Sequence, residues 1–245
     1  GKSVFSLLLS RTLGGKVGYI NFYDERLLSC TAEDLEKIMQ AFYELYSTVD
    51  IVILDEIQLI SGWELFVSRL RKTKKVIITA SNSKLLSGEL ATYLTGRHLD
   101  FTLYPLSFKE VLGFEPNIHS TKDRAKVKVA LSAYLTGSGF AEYYLFGKPI
   151  IKTIYEDIIA KDCLKRYPIR KEQAFRRLAQ YLISNYAQEF SYSKLSGILG
   201  IKDFHTVSNY VNYLKESFLL LVLERYSPKL KEQIIAPKKA YVVDH

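Results

Sequence analysis

The 245-residue chain is 48% hydrophobic, ample for one or two cores, and no run of about eighteen uncharged apolar residues occurs, which excludes a membrane-spanning helix. Two distant cysteines, Cys30 and Cys163, and four scattered histidines exclude a zinc or redox motif and a histidine-built metal site, and make a reducing cytoplasm the default location. The formal charge of +8 is uneven: residues 1–160 carry 19 Lys and Arg against 18 Asp and Glu and residues 161–245 carry 15 against 8, so the second part either suits a polyanion or is a solvated basic surface.

The chain opens "GKSVFSLLLSRTL", without an initiator methionine. Gly1, Lys2 and Ser3 are the residue types that close a phosphate-binding loop, and the apolar stretch behind them supplies a helix. The expectation is a fragment, cut inside that loop at the front and inside a domain at "KKAYVVDH". Up to residue 105, short apolar runs alternate with amphipathic stretches. "VGYINFYD" (17–24), "DIVILDEI" (50–57), "KVIITAS" (75–81) and "HLDFTLYP" (98–105) predict strands. "TAEDLEKIMQAFYELY" (31–46), with Thr31 as N-cap, "GWELFVSRLRK" (62–72) and "SKLLSGELATYL" (83–94) predict the intervening helices. This βα alternation predicts a parallel sheet covered by helices, with the unbroken "DIVILD" as a central strand buried on both faces.

From residue 107 the pattern turns helical: "SFKEVLG", "TKDRAKVKVALSAYLTG" and "PIIKTIYEDIIAKDCLKRY", with "GSGF" (137–140) as a turn. A composition change near 165–172 marks a boundary. Beyond it, "EQAFRRLAQYLISNYA" (172–187), "SYSKLSGILGI" (191–201) and "DFHTVSNYVNYLKESF" (203–218) predict three helices. "LLLVLERYS" and "KKAYVVDH" then predict two strands joined by the basic stretch "PKLKEQIIAPKK". Three helices and a β-hairpin are the order of a winged helix-turn-helix. Its second paired helix would show His205, Ser208, Asn209, Asn212 and Lys215, groups able to contact phosphates and base edges. Double-stranded DNA is the favoured partner; a packing or protein-contact module is the alternative.

The chemistry rests on the pairing of Gly1-Lys2-Ser3 with "IVILDE" (51–56). A phosphate-binding loop needs a Lys for the β- and γ-phosphates and a hydroxyl for magnesium. An apolar strand ending in Asp55-Glu56 supplies the other half: Asp55 for the metal, Glu56 to activate water. ATP and Mg²⁺ are therefore the expected ligands.

On "LDEIQ" (54–58), "GWELFVSRLRK" (62–72), "ITASNSKLLSGELATYLTGRHLDFTLYPLSFKEVLG" (78–113) and "GFAEYY" (139–144), the sequence resembles the P-loop ATPases of the AAA+/STAND type of archaea and bacteria. The resemblance covers essentially the whole chain. It implies an α/β fold: a P-loop NTPase core with a parallel sheet at 1–113, a helical lid segment at 114–170 and a winged helix-turn-helix at 171–245, followed in the family by a nuclease-fold domain. It further implies that Ser81 and Asn82 sense the γ-phosphate and that Arg97, in its own or a neighbouring subunit of a homo-oligomer, meets developing phosphate charge. Trp63 and Gln58 pack or orient the segment after the active strand and are given no catalytic role. The family pattern departs here in two places: the strand and glycines before Gly1 are absent, and Ala141 stands where relatives carry Pro. The expected activity is an ATP-driven, Mg-dependent switch coupled to a DNA-binding module. A small-molecule P-loop kinase would need an Arg-rich lid, and a transcription regulator or protein-interaction module with an inert core would not need Glu56.

Overall fold

A computed structural model describes residues 2–80, 98–117 and 119–244. The chain divides into two compact units, Gly1–Leu103 and Tyr104–His245. Among the described residues no helix is long and apolar enough to cross a membrane.

The first unit is a parallel α/β layer. Helix α1 (Lys2–Thr12) leads into β1 (Val17–Asn21), α2 (Asp34–Tyr46) into β2 (Ile51–Asp55), and α3 (Trp63–Leu70) into β3 (Lys75–Ile78). The strands lie in the order β1-β2-β3, both pairs parallel, with Val17 opposite Ile51, Asn21 opposite Asp55 and Leu54 opposite Ile78. Every residue of β2 is buried, as its unbroken apolar run requires of a strand covered on both faces. The two-residue period sends Val52 and Leu54 into a core shared with Leu35, Met39 and Phe42 of α2 and with Trp63, Phe66 and Val67 of α3. Each such side chain contributes about 1.5–3 kcal/mol by leaving water. Gly18 lies beneath α2: a Cβ there would stand 2.7 Å from the Phe42 ring. The same period turns Tyr19, Ile51, Ile53 and Asp55 to the opposite face.

Two local expectations fail in this unit. Thr31 does not cap α2; its hydroxyl and backbone N–H both donate to the Asp34 carboxylate, and the helix starts at that residue. Residues 98–105 form no strand, because no ladder partner meets them among the described residues, and Leu99 and Phe101 are exposed. The helix expected at 83–94 falls outside the described residues.

The second unit begins with α4 (Phe108–Leu112), closed by a capping box in which Ser107 and Glu110 satisfy each other's backbone N–H groups. Then follow α5 (Thr121–Thr136), α6 (Ala141–Phe146) and α7 (Pro149–Asp157). The single helix expected at 149–167 changes pitch, continuing as a π-helical stretch over Ile158–Leu164 that buries Ile159 and Cys163 completely. The turn between α5 and α6 is tied to the far end of the chain. The buried Ser138 hydroxyl donates to one Asp244 oxygen, and the Gly139 N–H donates to the other at 2.9 Å. The Gly139 carbonyl accepts from the Leu106 N–H at 2.7 Å. A Cβ on Gly139 would stand 2.6 Å from the Leu106 carbonyl oxygen, so glycine is required by close approach.

Helices α8 (Glu172–Ser184), α9 (Tyr192–Leu199) and α10 (Phe204–Glu216) follow, with the short strand β4 (Glu189–Phe190) between the first two. Strands β5 (Leu220–Leu223) and β6 (Lys238–Val242) are antiparallel, and the sheet order is β4-β6-β5. Phe175, Leu178 and Leu182 of α8 meet Leu195, Val207, Val211, Leu214, Leu220 and Ala240 in one core. The basic stretch between the strands is not all loop: it contains helix α11 (Leu230–Ile235).

Candidate functional site

The carboxyl end of β2 gathers the polar groups of the first unit. Asp55 is fully buried, and each carboxylate oxygen accepts a hydrogen bond. The Tyr19 hydroxyl of the neighbouring strand donates to Oδ2 at 3.0 Å, and the Thr79 hydroxyl, from the residue after β3, donates to Oδ1. Thr79 is itself placed by the sheet, since its N–H donates to the Leu54 carbonyl at 3.1 Å. Burial pushes the Tyr19 phenol up to about 12, helped by the Asp55 charge and hydrogen bond. The phenol is thus a fixed donor at neutral pH.

Glu56 leaves the strand in the left-handed region, at φ 57° and ψ 39°. That conformation costs a non-glycine residue roughly 1–2 kcal/mol and turns the chain sharply. The Glu56 N–H donates to Thr79 Oγ1 at 3.2 Å, so one hydroxyl serves both acidic residues. Gln58, in the following 3₁₀ turn (Ile57–Leu59), donates its side-chain Nε2 to Glu56 Oε2. Its Oε1 is buried and has no hydrogen-bond partner among the described residues. Sequence reasoning missed Tyr19 and Thr79. No local pattern pointed to Tyr19: the register that sets Asn21 opposite Asp55 brings it to the same face, two residues earlier.

Lys2 and Ser3 form the first turn of α1, which packs against β1 and β2. Only residues 13–16 connect α1 to β1, so the helix end lies near the strand start. Gly1, Ser81, Asn82 and Arg97 lie outside the described residues.

The donors expected for magnesium are the Asp55 carboxylate and the Ser3 hydroxyl. A carboxylate and a hydroxyl are hard oxygen ligands, and Mg²⁺ keeps several waters and takes phosphate oxygens rather than an all-protein cage.

In the second unit, Asp203 caps α10 by accepting from the N–H groups of His205 at 3.0 Å and Thr206 at 3.1 Å. Val207, Tyr210, Val211 and Leu214 face the core. His205, Asn209, Asn212 and Lys215 are exposed and Ser208 is half-buried, so the five residues predicted for DNA share the outward side of one helix.

Residues 1–112 match a family model described as an AAA domain, and residues 141–245 match one described as a domain of unknown function. An uncharacterized protein of Methanocaldococcus jannaschii is 34% identical over 242 residues, covering 92% of this chain and 54% of that protein. An uncharacterized protein of Haemophilus influenzae is 30% identical over 224 residues, covering 87% of this chain and 55% of that protein. The chain therefore spans about half the length of these relatives. A solved structure of the replication initiator DnaA bound to AMPPCP and single-stranded DNA aligns over 84% of this chain and 75% of its own at 16% identity, with a TM-score of 0.27, a likeness too slight to compare sites. Over residues 1–112 the chain is thus similar to AAA domains.

Proposed function

We propose that the protein binds and hydrolyses ATP at the end of β2 and couples that cycle to its second unit. The observation that carries this reading is the acidic pair Asp55-Glu56 at the end of a fully buried central strand, in a sheet against which α1 packs. The AAA-domain match over residues 1–112 supports it.

The helix start offers N–H groups and a positive dipole end to phosphate oxygens, and Lys2 adds a full charge. Bound magnesium, held by Ser3 and Asp55, would neutralise charge developing on the phosphates. Tyr19 and Thr79 hold the Asp55 carboxylate in one orientation, so it need not reorganise when ligand arrives. Glu56, turned out of the strand, accepts a proton from the attacking water. Ser81 and Asn82 follow β3 in sequence, which suits them to contact the γ-phosphate; Arg97 is assigned to charge stabilisation, from its own subunit or from a neighbour's in a homo-oligomer.

The second unit we read as a helical segment followed by a winged helix-turn-helix at 171–245 that meets double-stranded DNA. Its element order, the polar outward side of α10 and the basic balance of residues 161–245 support that reading. A protein-contact role for the same face is the alternative. Titration with a fluorescent ATP analogue and Mg²⁺ tests the nucleotide reading: Lys2→Ala should weaken binding, and unchanged affinity would remove Lys2 from the site. Duplex DNA titrated at low salt tests the second unit; no binding by the folded protein leaves α10 as a protein-contact surface.

A further inference from the structure

We infer that α11 is an apolar wedge that enters the minor groove of duplex DNA and bends it, a role that rests on the reading of residues 171–245 as a DNA-binding winged helix-turn-helix. The helix is turned the wrong way for a surface element. Its least exposed residue is Gln233, whereas Leu230, Ile234 and Ile235 are 64–71% exposed. Polar groups hold that orientation. Ser227, itself buried, donates its hydroxyl to Glu232 at 2.8 Å, and its carbonyl accepts from Gln233 Nε2 at 2.8 Å. A surface helix ordinarily directs its apolar stripe to the core and its polar side chains to water. Leu230 and Ile234 stand one turn apart on the same side, and Tyr226, just ahead of the helix, is exposed as well. Exposed apolar clusters of this kind mark contact sites.

The charge around this tip selects its partner. Residues 224–239 hold five Lys and Arg against two Glu, and both carboxylates are engaged within the segment. Glu224 accepts from Lys238 Nζ at 2.7 Å, and Glu232 meets Ser227 and Lys229. Arg225, Lys231 and Lys239 are exposed and make no ion pair among the described residues. An apolar tip rimmed by cations suits a polyanion that can also offer apolar faces, which stacked bases do once two of them part. Two copies meeting through α11 would set lysine against lysine. An anionic bilayer shares the chemistry but not the surroundings. The hydrogen bond from Lys238, with a smaller contribution from Lys215 of α10, holds the Glu224 carboxyl below its usual range, so the root of the segment lies beside the outward side of α10. There Asn209, Asn212 and Lys215 are exposed, groups that suit base edges and phosphates rather than a lipid headgroup layer. Apolar side chains inserted between base pairs kink a duplex by roughly 20–90°, most readily at pyrimidine–purine steps.

The test titrates the whole chain into a short duplex that carries a fluorophore at each end, to read bending, and 2-aminopurine at a central TA step, to read unstacking. The parent should draw the ends together and brighten the 2-aminopurine. Ile234→Ser combined with Ile235→Ser should lose both signals and about tenfold in affinity while keeping the parent's salt slope, since no phosphate contact is removed. Lys231→Ala should do the reverse, making the slope shallower by about 0.9 and keeping the bend. Parent-like bending and brightening in the double variant overturns the wedge. So does a parent that binds duplex without either signal, and in both cases the DNA reading of the second unit stands. A parent that binds no duplex at low salt ends that reading and the wedge with it; sedimentation with vesicles of phosphatidylserine and phosphatidylcholine would then give the face to a bilayer. Both isoleucines are exposed, so the double variant should melt as the parent does. Should it fail to fold, Ile235→Ser alone carries the same expectation of a lost bend with retained salt slope.

Discussion

Asp55 and Lys215 stand in opposite surroundings. Asp55 is fully buried at a strand end with a donor on each oxygen, whereas Lys215, with Asn209 and Asn212, is exposed on a helix whose other side makes the core. A group held on all sides keeps its position when charge develops in front of it, which suits chemistry. A long exposed side chain adapts to its partner at an entropic cost, which suits recognition of an extended surface. The contrast teaches that the two units have different tolerances. Small changes near Asp55 should act through geometry, and changes on α10 should act through summed contacts.

The largest expected effect is on the held side. Glu56→Gln should reduce turnover by about 10²–10⁴-fold while nucleotide binding persists, because an amide cannot take up the water proton. Single-turnover hydrolysis beside analogue titration checks this, and turnover near the parent's would remove Glu56 from the mechanism. Next comes Lys2→Ala, which should weaken nucleotide about 10- to 100-fold, the equivalent of a charged hydrogen bond worth about 1.5–3 kcal/mol. Tyr19→Phe leaves one oxygen of the buried Asp55 without its donor, so the protein should lose about 1–3 kcal/mol of stability. Chemical denaturation reads this directly; an unchanged midpoint would mean that Tyr19 does not hold Asp55. The smallest effects belong to α10. Lys215→Ala should weaken duplex binding for all sequences alike and make the log affinity against log salt slope shallower by about 0.9. Replacing Asn209 or Asn212 should instead change which sequences are preferred. If Lys215→Ala changed preference and the asparagines did not, the assignment of phosphate and base contacts on α10 would be reversed.

The same contrast governs what the sequence revealed. Strand β2 was legible because four consecutive apolar residues before an acidic pair leave few alternatives, and α10 because Val207, Val211 and Leu214 repeat at helical spacing. Residues 98–105 misled, since β-rich composition describes a strand only when a neighbour supplies a ladder. Thr31 misled because the short polar side chains of Thr31 and Asp34 compete for the same start, and the carboxylate took both donors. Helix α11 was hidden because its six residues lie between Pro228-Lys229 and Pro237-Lys238, flanks that read equally well as loop. The roles of Tyr19 and Thr79 could not be read from local pattern, because 36 and 24 residues separate them from Asp55. Only the strand register brings them to it.

The tie between Ser138 and Asp244 joins residues 106 apart. On a ribosome adding about 5–20 residues per second, the α5–α6 turn is made roughly 5–20 s before the carboxylate that secures it. During that interval Ser138 and the Gly139 N–H must be met by water. The first helices of the second unit therefore wait, incompletely fastened, for the end of β6 to be synthesised, and a pause in translation before Asp244 lengthens their exposure to chaperones and proteases.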